Sequence, residues 1–308
     1  MSGGLVVVGS VALDTVEAPS GKHERILGGS ASFFSTAASY FTRPSLVAIV
    51  GEDFPEEHIH FLQSRGIDLT GLERVVGGKT FFWAGKYSAD FTTRTTLDTQ
   101  LNVFADFQPR LPAAYRDAEL LFLGNILPSL QLDVLSQVKQ PRLVALDTMN
   151  LWIGTQREEL KKVLAKIDLI VLNDEEARQL SEEHNLPRAA QAIRRMGPRT
   201  VIVKRGDSGA LLFHEGGVFA CPAYPLDEVV DPTGAGDTFA GGFMGWLARA
   251  GDTSPASVRT AMIYGSVMAS FCVEAFSLDR MRALTLPEIA ERFRSFQELT
   301  RFEGVHLA

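Results

Sequence analysis

The segment Asp231-Pro-Thr-Gly-Ala-Gly-Asp-Thr-Phe-Ala-Gly-Gly242 carries the residues best suited to chemistry. Gly234, Ala235 and Gly236 are small, and an amphipathic helical pattern follows at once over 235–250. Small residues let the backbone turn tightly and aim successive N–H groups at one point, where a helix N-terminus adds partial positive charge. The product is an anion hole suited to phosphate. Asp237 falls inside that hole, in the first helical turn, where its carboxylate would repel a bound phosphate. A general base that takes a proton from an alcohol attacking a phosphoryl group needs a carboxylate at such a place. Helix capping alone would suit an aspartate, but it leaves the Gly-Ala-Gly turn without a reason.

Such a hole needs a scaffold, and the sequence supplies one. Nearly all-apolar runs at 5–9, 46–50, 120–124, 143–147, 169–173 and 200–204 read as strands buried on both faces. Helical patterns at 130–138, 158–165, 175–182 and 189–196 alternate with them, and two longer ones, 235–250 and 255–273, close the chain. This rhythm predicts an α/β fold, a mainly parallel sheet between helices. Two stretches break it. A hairpin pattern spans 15–27 around Pro19-Ser-Gly-Lys22, and a second strand pair, 80–87 and 96–104, flanks polar residues 88–95. Both read as strands of a small β flap inserted into one domain spanning 1–308, and such flaps serve as lids. Phe81, Trp83, Leu101 and Phe104 are its candidates to close over a substrate, or to pack in a core or an interface.

Two other glycine motifs fail on context. Gly78-Lys79-Thr80 lacks the first glycine of a P-loop, since Glu73 stands there, and a strand pattern rather than a helix follows. Gly234-Ala-Gly236 has Phe239 where a dinucleotide fingerprint needs its third glycine, and it lies late in the chain.

The 231–239 segment resembles the C-terminal signature of the ribokinase-like (PfkB) carbohydrate kinase family. The similarity runs in order along nearly the whole chain: Val8-Gly-Ser-Val-Ala-Leu-Asp14, the pair Gly28-Gly29, Gly51-Glu-Asp53, Asn173-Asp-Glu-Glu176, and Lys204-Arg-Gly206 with Gly209. The resemblance implies a three-layer α/β/α sandwich with a β-sheet lid and ATP-dependent phosphorylation of a hydroxyl on a small polyol-like acceptor, a sugar or a cyclitol. A nucleoside (adenosine-type) acceptor fits the same motifs. A non-catalytic sugar or nucleotide sensor is the alternative of another class, and the intact Asp237 speaks against it. Carried over, the resemblance makes Asp237 the base and Gly234, Ala235 and Gly236 the hole. Asp14, Gly28 and Gly29 would bind the acceptor. Asn173, Lys204, Gly206, Gly209, Thr233 and Gly236 would meet ATP, and Asn173 and Glu176 would organise Mg²⁺ through water. As bare sequence, Asn173 and Glu176 equally read as a helix start, an N-cap with an acid in the first turn.

Departures bear on the substrate. Phe33 stands where many sugar kinases of the family carry an asparagine that holds the sugar, which weakens a case for ribose or fructose. Asp231 and Thr233 could offer carbonyls to a monovalent cation, but Val273-Glu-Ala-Phe-Ser277 replaces the small glycine-containing loop that accompanies K⁺ use, which weakens that case too. Asn125 and Asn150 lie past the carboxyl ends of predicted strands, where such sheets bind ligands, and are further acceptor-binding candidates as well as turn formers. His58 and His60, two apart at a helix start, share no face and read as surface histidines.

Composition excludes other classes. Hydrophobic residues make up 45% and charged residues 22%, which rules out a disordered or collagen-like chain. A net charge of −7 is a poor starting point for a nucleic-acid binder. Cys221 and Cys272 form no Cys-x-x-Cys unit and read as reduced thiols of a cytoplasmic protein. The N-terminus has no signal-peptide pattern, and the apolar run 261–273 is shorter than the roughly 20 residues of a membrane span. Apolar strand edges in the flap invite pairing with a second copy, so a homodimer through the lid is a further expectation.

Overall fold

The computed structural model describes residues 4–303. Its strands are β1 (Leu5–Val8), β2 (Ala12–Ala18), β3 (Gly21–Gly28), β4 (Ser45–Gly51), β5 (Asp68–Val75), β6 (Phe81–Tyr87), β7 (Arg94–Gln100), β8 (Leu120–Leu123), β9 (Leu143–Asp147), β10 (Leu169–Asn173), β11 (Thr200–Lys204), β12 (Ala210–His214) and β13 (Gly217–Cys221). Nine of them form one sheet in the order β13-β12-β11-β10-β9-β8-β1-β4-β5, parallel except for β12 and β13 at one edge.

Alternation along each buried strand divides the interior in two. Leu5, Val7, Phe122, Ala145, Val171 and Ile202 join one core; Val6, Val8, Leu123, Leu146, Leu172 and Val203 join the other. Against the first pack α1 (Ser30–Ala38), α2 (Glu56–Ser64), α8 (Ala235–Ala250), α9 (Pro255–Cys272), α10 (Asp279–Ala283) and α11 (Leu286–Leu299). Against the second pack α3 (Pro128–Gln137), α4 (Asn150–Thr155), α5 (Arg157–Leu164), α6 (Asp174–Ser181) and α7 (Leu186–Arg194). This is the three-layer α/β/α sandwich expected from the all-apolar strands.

The second sheet, in the order β3-β2-β6-β7, joins two hairpins distant in sequence through a parallel pairing of β2 with β6, which sets Asp14 opposite Trp83. The chain crosses from β1 into this sheet through Gly9–Val11 and returns at Gly28-Gly29. Gly29 has φ 90°, and a Cβ on it would lie 2.5 Å from the Ser10 carbonyl oxygen, so the crossing admits only glycine there. Reciprocal bonds between Ser10 and Ser30 fasten the two passages together.

Some expectations need correction. The last flap strand stops at Gln100; Asn102 takes φ 51°, ties its side chain to the Thr80 carbonyl, and opens a 3₁₀ turn that contains Phe104. His58 is buried, not at the surface: α2 turns it inward with Phe61 and Leu62 against the Phe54 ring, while His60 stays exposed. Burial holds its imidazole below the ordinary histidine range. Cys221 and Cys272 are free and buried. No helix among the described residues is long and apolar enough to cross a membrane.

Candidate active site

The carboxyl ends of β9, β10 and β11 put Asp147, Asn173 and Lys204 side by side, because parallel register sets Asp147 opposite Val171 and Asn173 opposite Lys204. The start of α8 lies over them. A Cβ on Gly236 would meet the Lys204 Nζ at 2.6 Å, so the ammonium rests directly on the glycine turn. Gly234 precedes the helix with φ 75° and no side-chain cap, and a Cβ on it would strike the Phe33 ring at 2.4 Å. Conformation and space both demand glycine there. The N–H groups of Gly236 and Asp237 meet no acceptor among the described residues. Unfilled amides and a neighbouring ammonium form an anion site with its donors already aimed.

The charges around it are mutually strained. Lys204 Nζ lies 3.9 Å from Asp147 Oδ1, a loose ion pair in a buried setting. Burial disfavours the Lys204 charge, but Asp147, Glu176 and Asp237 more than offset that and hold the ammonium above its ordinary range. Asp237 is pushed up to about 7, first by burial and then by Asp147, with Lys204 and Arg94 opposing. Glu176 is likewise raised to about 7 by burial and Asp147. Burial lifts Asp147 itself, because one cation at 3.9 Å does not replace its lost water. A carboxylate with a pKa near neutrality, next to free amides and a cation, can accept a proton from an alcohol while an anion sits beside it.

Asp14 projects from β2 toward the same place. A Cβ on Gly28 would overlap its carboxylate, at 2.0 Å from Oδ2, so the glycine makes its room. Burial and then Asp231 raise Asp14 to about 7, with Asp237 adding to the rise and the Gly29 amide and Arg94 opposing it. The lid meets the anion turn directly: the Tyr87 hydroxyl and Thr233 Oγ1 share a hydrogen bond at 3.1 Å. Arg94, opposite Tyr87 in β7, lends positive potential to Asp14, Glu176 and Asp237.

The other sequence candidates take varied places. Asn173 and Glu176 form a capping box: Asn173 Oδ1 accepts the Glu176 N–H at 2.7 Å, and Glu176 Oε2 accepts the Asn173 N–H at 2.8 Å. This leaves Asn173 Nδ2 and Glu176 Oε1 for other partners. Thr233 is fixed by the Asp231 carboxylate, which accepts its N–H at 2.8 Å and that of Ser277 at 3.4 Å, tying the turn to the 273–277 segment. Gly206 and Gly209, with φ 57° and 78°, shape the turn from β11 to β12. Asn125 is engaged by Trp152 at 2.8 Å and Met149 at 3.1 Å. Asn150 is exposed at the first turn of α4, its side chain accepting the Leu151 N–H.

Sequence reasoning missed Asp147, Tyr87 and Arg94. Asp147 ends a predicted strand, and the rule that ligands gather at carboxyl ends of parallel strands would have singled it out as readily as Asn150. Nothing local marks Tyr87 or Arg94. Of the described residues, no group of three or more acids, histidines or cysteines is placed to ligate a metal directly. Three acids, Asp147 buried and Glu176 and Asp237 half-buried, offset by one lysine nonetheless fit a divalent cation held through water, since Mg²⁺ keeps several waters when protein-bound. A surface groove of about 700 Å³ beside Tyr224 and Glu291 shares no residue with this constellation.

Residues 4–282 match the pfkB family carbohydrate kinases. The chain is 30% identical over 251 residues to the cytidine kinase of Thermococcus kodakarensis, covering 80% of this chain and 88% of that protein. It is 26% identical over 290 residues to a nucleoside kinase of Methanothermobacter thermautotrophicus, covering 87% and 84%. Its fold superimposes on the Burkholderia thailandensis nucleoside kinase, solved in complex with inosine, with a TM-score of 0.77 at 18% identity over 94% of this chain and 98% of that one.

Proposed function

The chain belongs to the pfkB family of carbohydrate kinases, and from that premise we propose that it transfers the γ-phosphoryl group of ATP to a ribosyl hydroxyl of a nucleoside. The order of acceptors expected from the sequence, sugar or cyclitol before nucleoside, is thereby reversed. Support for the reversal comes from the relatives named cytidine kinase and nucleoside kinase, which align over most of their lengths. The observation that carries the reaction is the uncapped start of α8, with Asp237 raised to about 7 inside it and Lys204 resting on Gly236.

Each residue then has one task. Asp14 accepts hydrogen bonds from acceptor hydroxyls. Asp237 takes the proton of the attacking hydroxyl as its oxygen bonds to the γ-phosphorus and the bond to the β–γ bridging oxygen breaks, releasing ADP. Within the Gly234-Ala235-Gly236 turn the Ala235 N–H already donates to the Pro232 carbonyl, so the free amides of Gly236 and Asp237 hold the phosphoryl oxygens, and Lys204 balances their charge. Gly206, Gly209 and Thr233 line the ATP side. Asp147, Asn173 and Glu176 would hold Mg²⁺ through water, which neutralises phosphate charge when bound. Tyr87, bonded to Thr233, brings the lid down over the reacting groups and keeps water from the phosphoryl group.

The test is ADP release from Mg-ATP with cytidine, adenosine, inosine, ribose and myo-inositol, with Asp237→Asn as control. The reading expects nucleoside-dependent release that the variant loses. Release with ribose or myo-inositol alone would return the acceptor to the polyol class. Tight nucleoside binding with no release would point to a sensor.

A further inference from the structure

The site-facing side of the lid holds a group that the reaction leaves unused. Asp14 and Trp83 are register partners and so project from the same face of the lid sheet. Gly85 and Tyr87, two and four residues further on, share that face, and Tyr87 reaches Thr233 on the anion turn. Trp83 therefore stands beside Asp14 on the face of the lid that, through Tyr87, meets the anion turn. Its indole does not stand upright. A Cβ on Gly85 would fall 2.1 to 3.0 Å from the Cη2, Cζ2 and Cζ3 atoms of the ring, so the indole lies along the strand, flat on the glycine. The ring nitrogen donates to Thr96 Oγ1 at 3.3 Å, which fixes the ring's rotation. The Arg94 guanidinium lies over the ring at 5.4 Å from its centroid, the longest such spacing among the described arginine–aromatic pairs and at the outer edge of cation–π range, so a planar group entering the cleft displaces it rather than stacking on a bare face. Trp83 is only partly buried.

A glycine inside a strand weakens it unless another group must come close. Here the close group is an aromatic ring held parallel to the sheet, on the lid face that meets the anion turn. We infer that Trp83, laid flat on Gly85, is the platform on which the planar base of the nucleoside stacks, and so the residue that favours nucleosides over bare sugars. The inference rests on the nucleoside reading of the site. Asp14 holds the ribosyl hydroxyls while the indole holds the base, so one lid strand pair reads both halves of the acceptor. Aromatic stacking tolerates any base, because every base offers a π face.

The experiment measures KM for cytidine, adenosine and ATP in the wild-type protein and in Trp83→Ala, Trp83→Phe and Gly85→Val, with melting curves to show that each variant folds. Loss of a base–aromatic stack is expected to raise the nucleoside KM about tenfold or more in Trp83→Ala, with the ATP KM held within about twofold. Gly85→Val, which pushes the ring off its bed, moves the nucleoside KM in the same direction. Trp83→Phe recovers most of the loss. Indole fluorescence quenched by cytidine in the absence of ATP, and no longer quenched in Trp83→Phe, reads the stack without turnover. Equal rises in the nucleoside and ATP KM values, or no rise in either, overturn the platform and leave the nucleoside kinase standing. A wild-type protein that phosphorylates only sugars or cyclitols overturns both.

Discussion

Helices α6 and α8 begin at the same end of the central sheet, joined through Lys204, which is the register partner of Asn173 and rests on Gly236. They begin in opposite ways. At α6 the first orphan amides are filled from within, by the reciprocal bonds of Asn173 and Glu176. At α8 the cap is a left-handed glycine with nothing to offer, and the one acid in the first turn, half-buried, faces other acids. The filled end is a local anchor that the chain satisfies by itself. The open end is stable only because the surrounding fold imposes it, and it keeps donors for a ligand.

If the open end is the reactive one, the largest effect belongs to Asp237→Asn. Removal of a general base lowers kcat by about 10² to 10⁴, measured by coupled ADP release. The same change should raise thermal stability at alkaline pH. Because the folded Asp237 has a pKa of about 7 against an ordinary 3.8, the folded state binds the proton more tightly than the unfolded one between those values. Its contribution to stability is fullest below pH 3.8 and is lost as pH rises through 7. The melting-temperature gain of Asp237→Asn should therefore be larger at pH 8 than at pH 5; a gain independent of pH would break the argument.

Next comes Lys204→Met, which removes the ammonium from the anion turn. A preorganised charge of this kind is worth about 10² to 10³ in kcat, and steady-state kinetics at saturating ATP would read it. A third test is the wild-type pH profile. Protonated Asp237 cannot accept the hydroxyl proton, so kcat/KM should climb with pH through about 7. Asp14, Glu176 and Asp237 share a field, so the limb belongs to the set rather than to one residue. A limb near pH 4 would mean that these acids are solvated during turnover. The smallest effect sharpens the contrast at the filled end. Glu176→Gln can keep the capping box, so at pH 5, where the raised Glu176 is still protonated in the folded protein, stability should change by less than about 1 kcal/mol. A raised Mg²⁺ requirement at that near-constant stability would give Glu176 a task beyond its cap.

How much of this was legible in the sequence varies by element. The runs 143–147, 169–173 and 200–204 became strands with those bounds, and 235–250 became α8 residue for residue. Each is a case where local period and burial agree. The strand β5 went unread because Asp68–Val75 is a half-exposed edge with mixed polarity. Helix α1 went unread because Ser30–Ala38 is buried all round and shows no polar face. The omission of α11 has no such excuse, since Thr285-Leu-Pro-Glu288 is a legible capping box.

For the candidate site, residues adjacent along the chain disclosed themselves. Gly234, Ala235, Gly236 and Asp237 declare a turn, a helix start and an acid within four positions, and Asn173 with Glu176 declares a cap. Those patterns depend on backbone geometry over a single turn of chain, which sequence specifies directly. Asp147 beside Lys204, Asp14 opposite Trp83, and Tyr87 against Thr233 depend on strand order and on a parallel pairing between hairpins far apart in sequence. No local rule encodes those meetings. They arise because burying both faces of the central sheet fixes which strand ends lie together. Once they do, withdrawal of water lifts Asp147 above the ordinary carboxylate range and brings Glu176 and Asp237 to about 7.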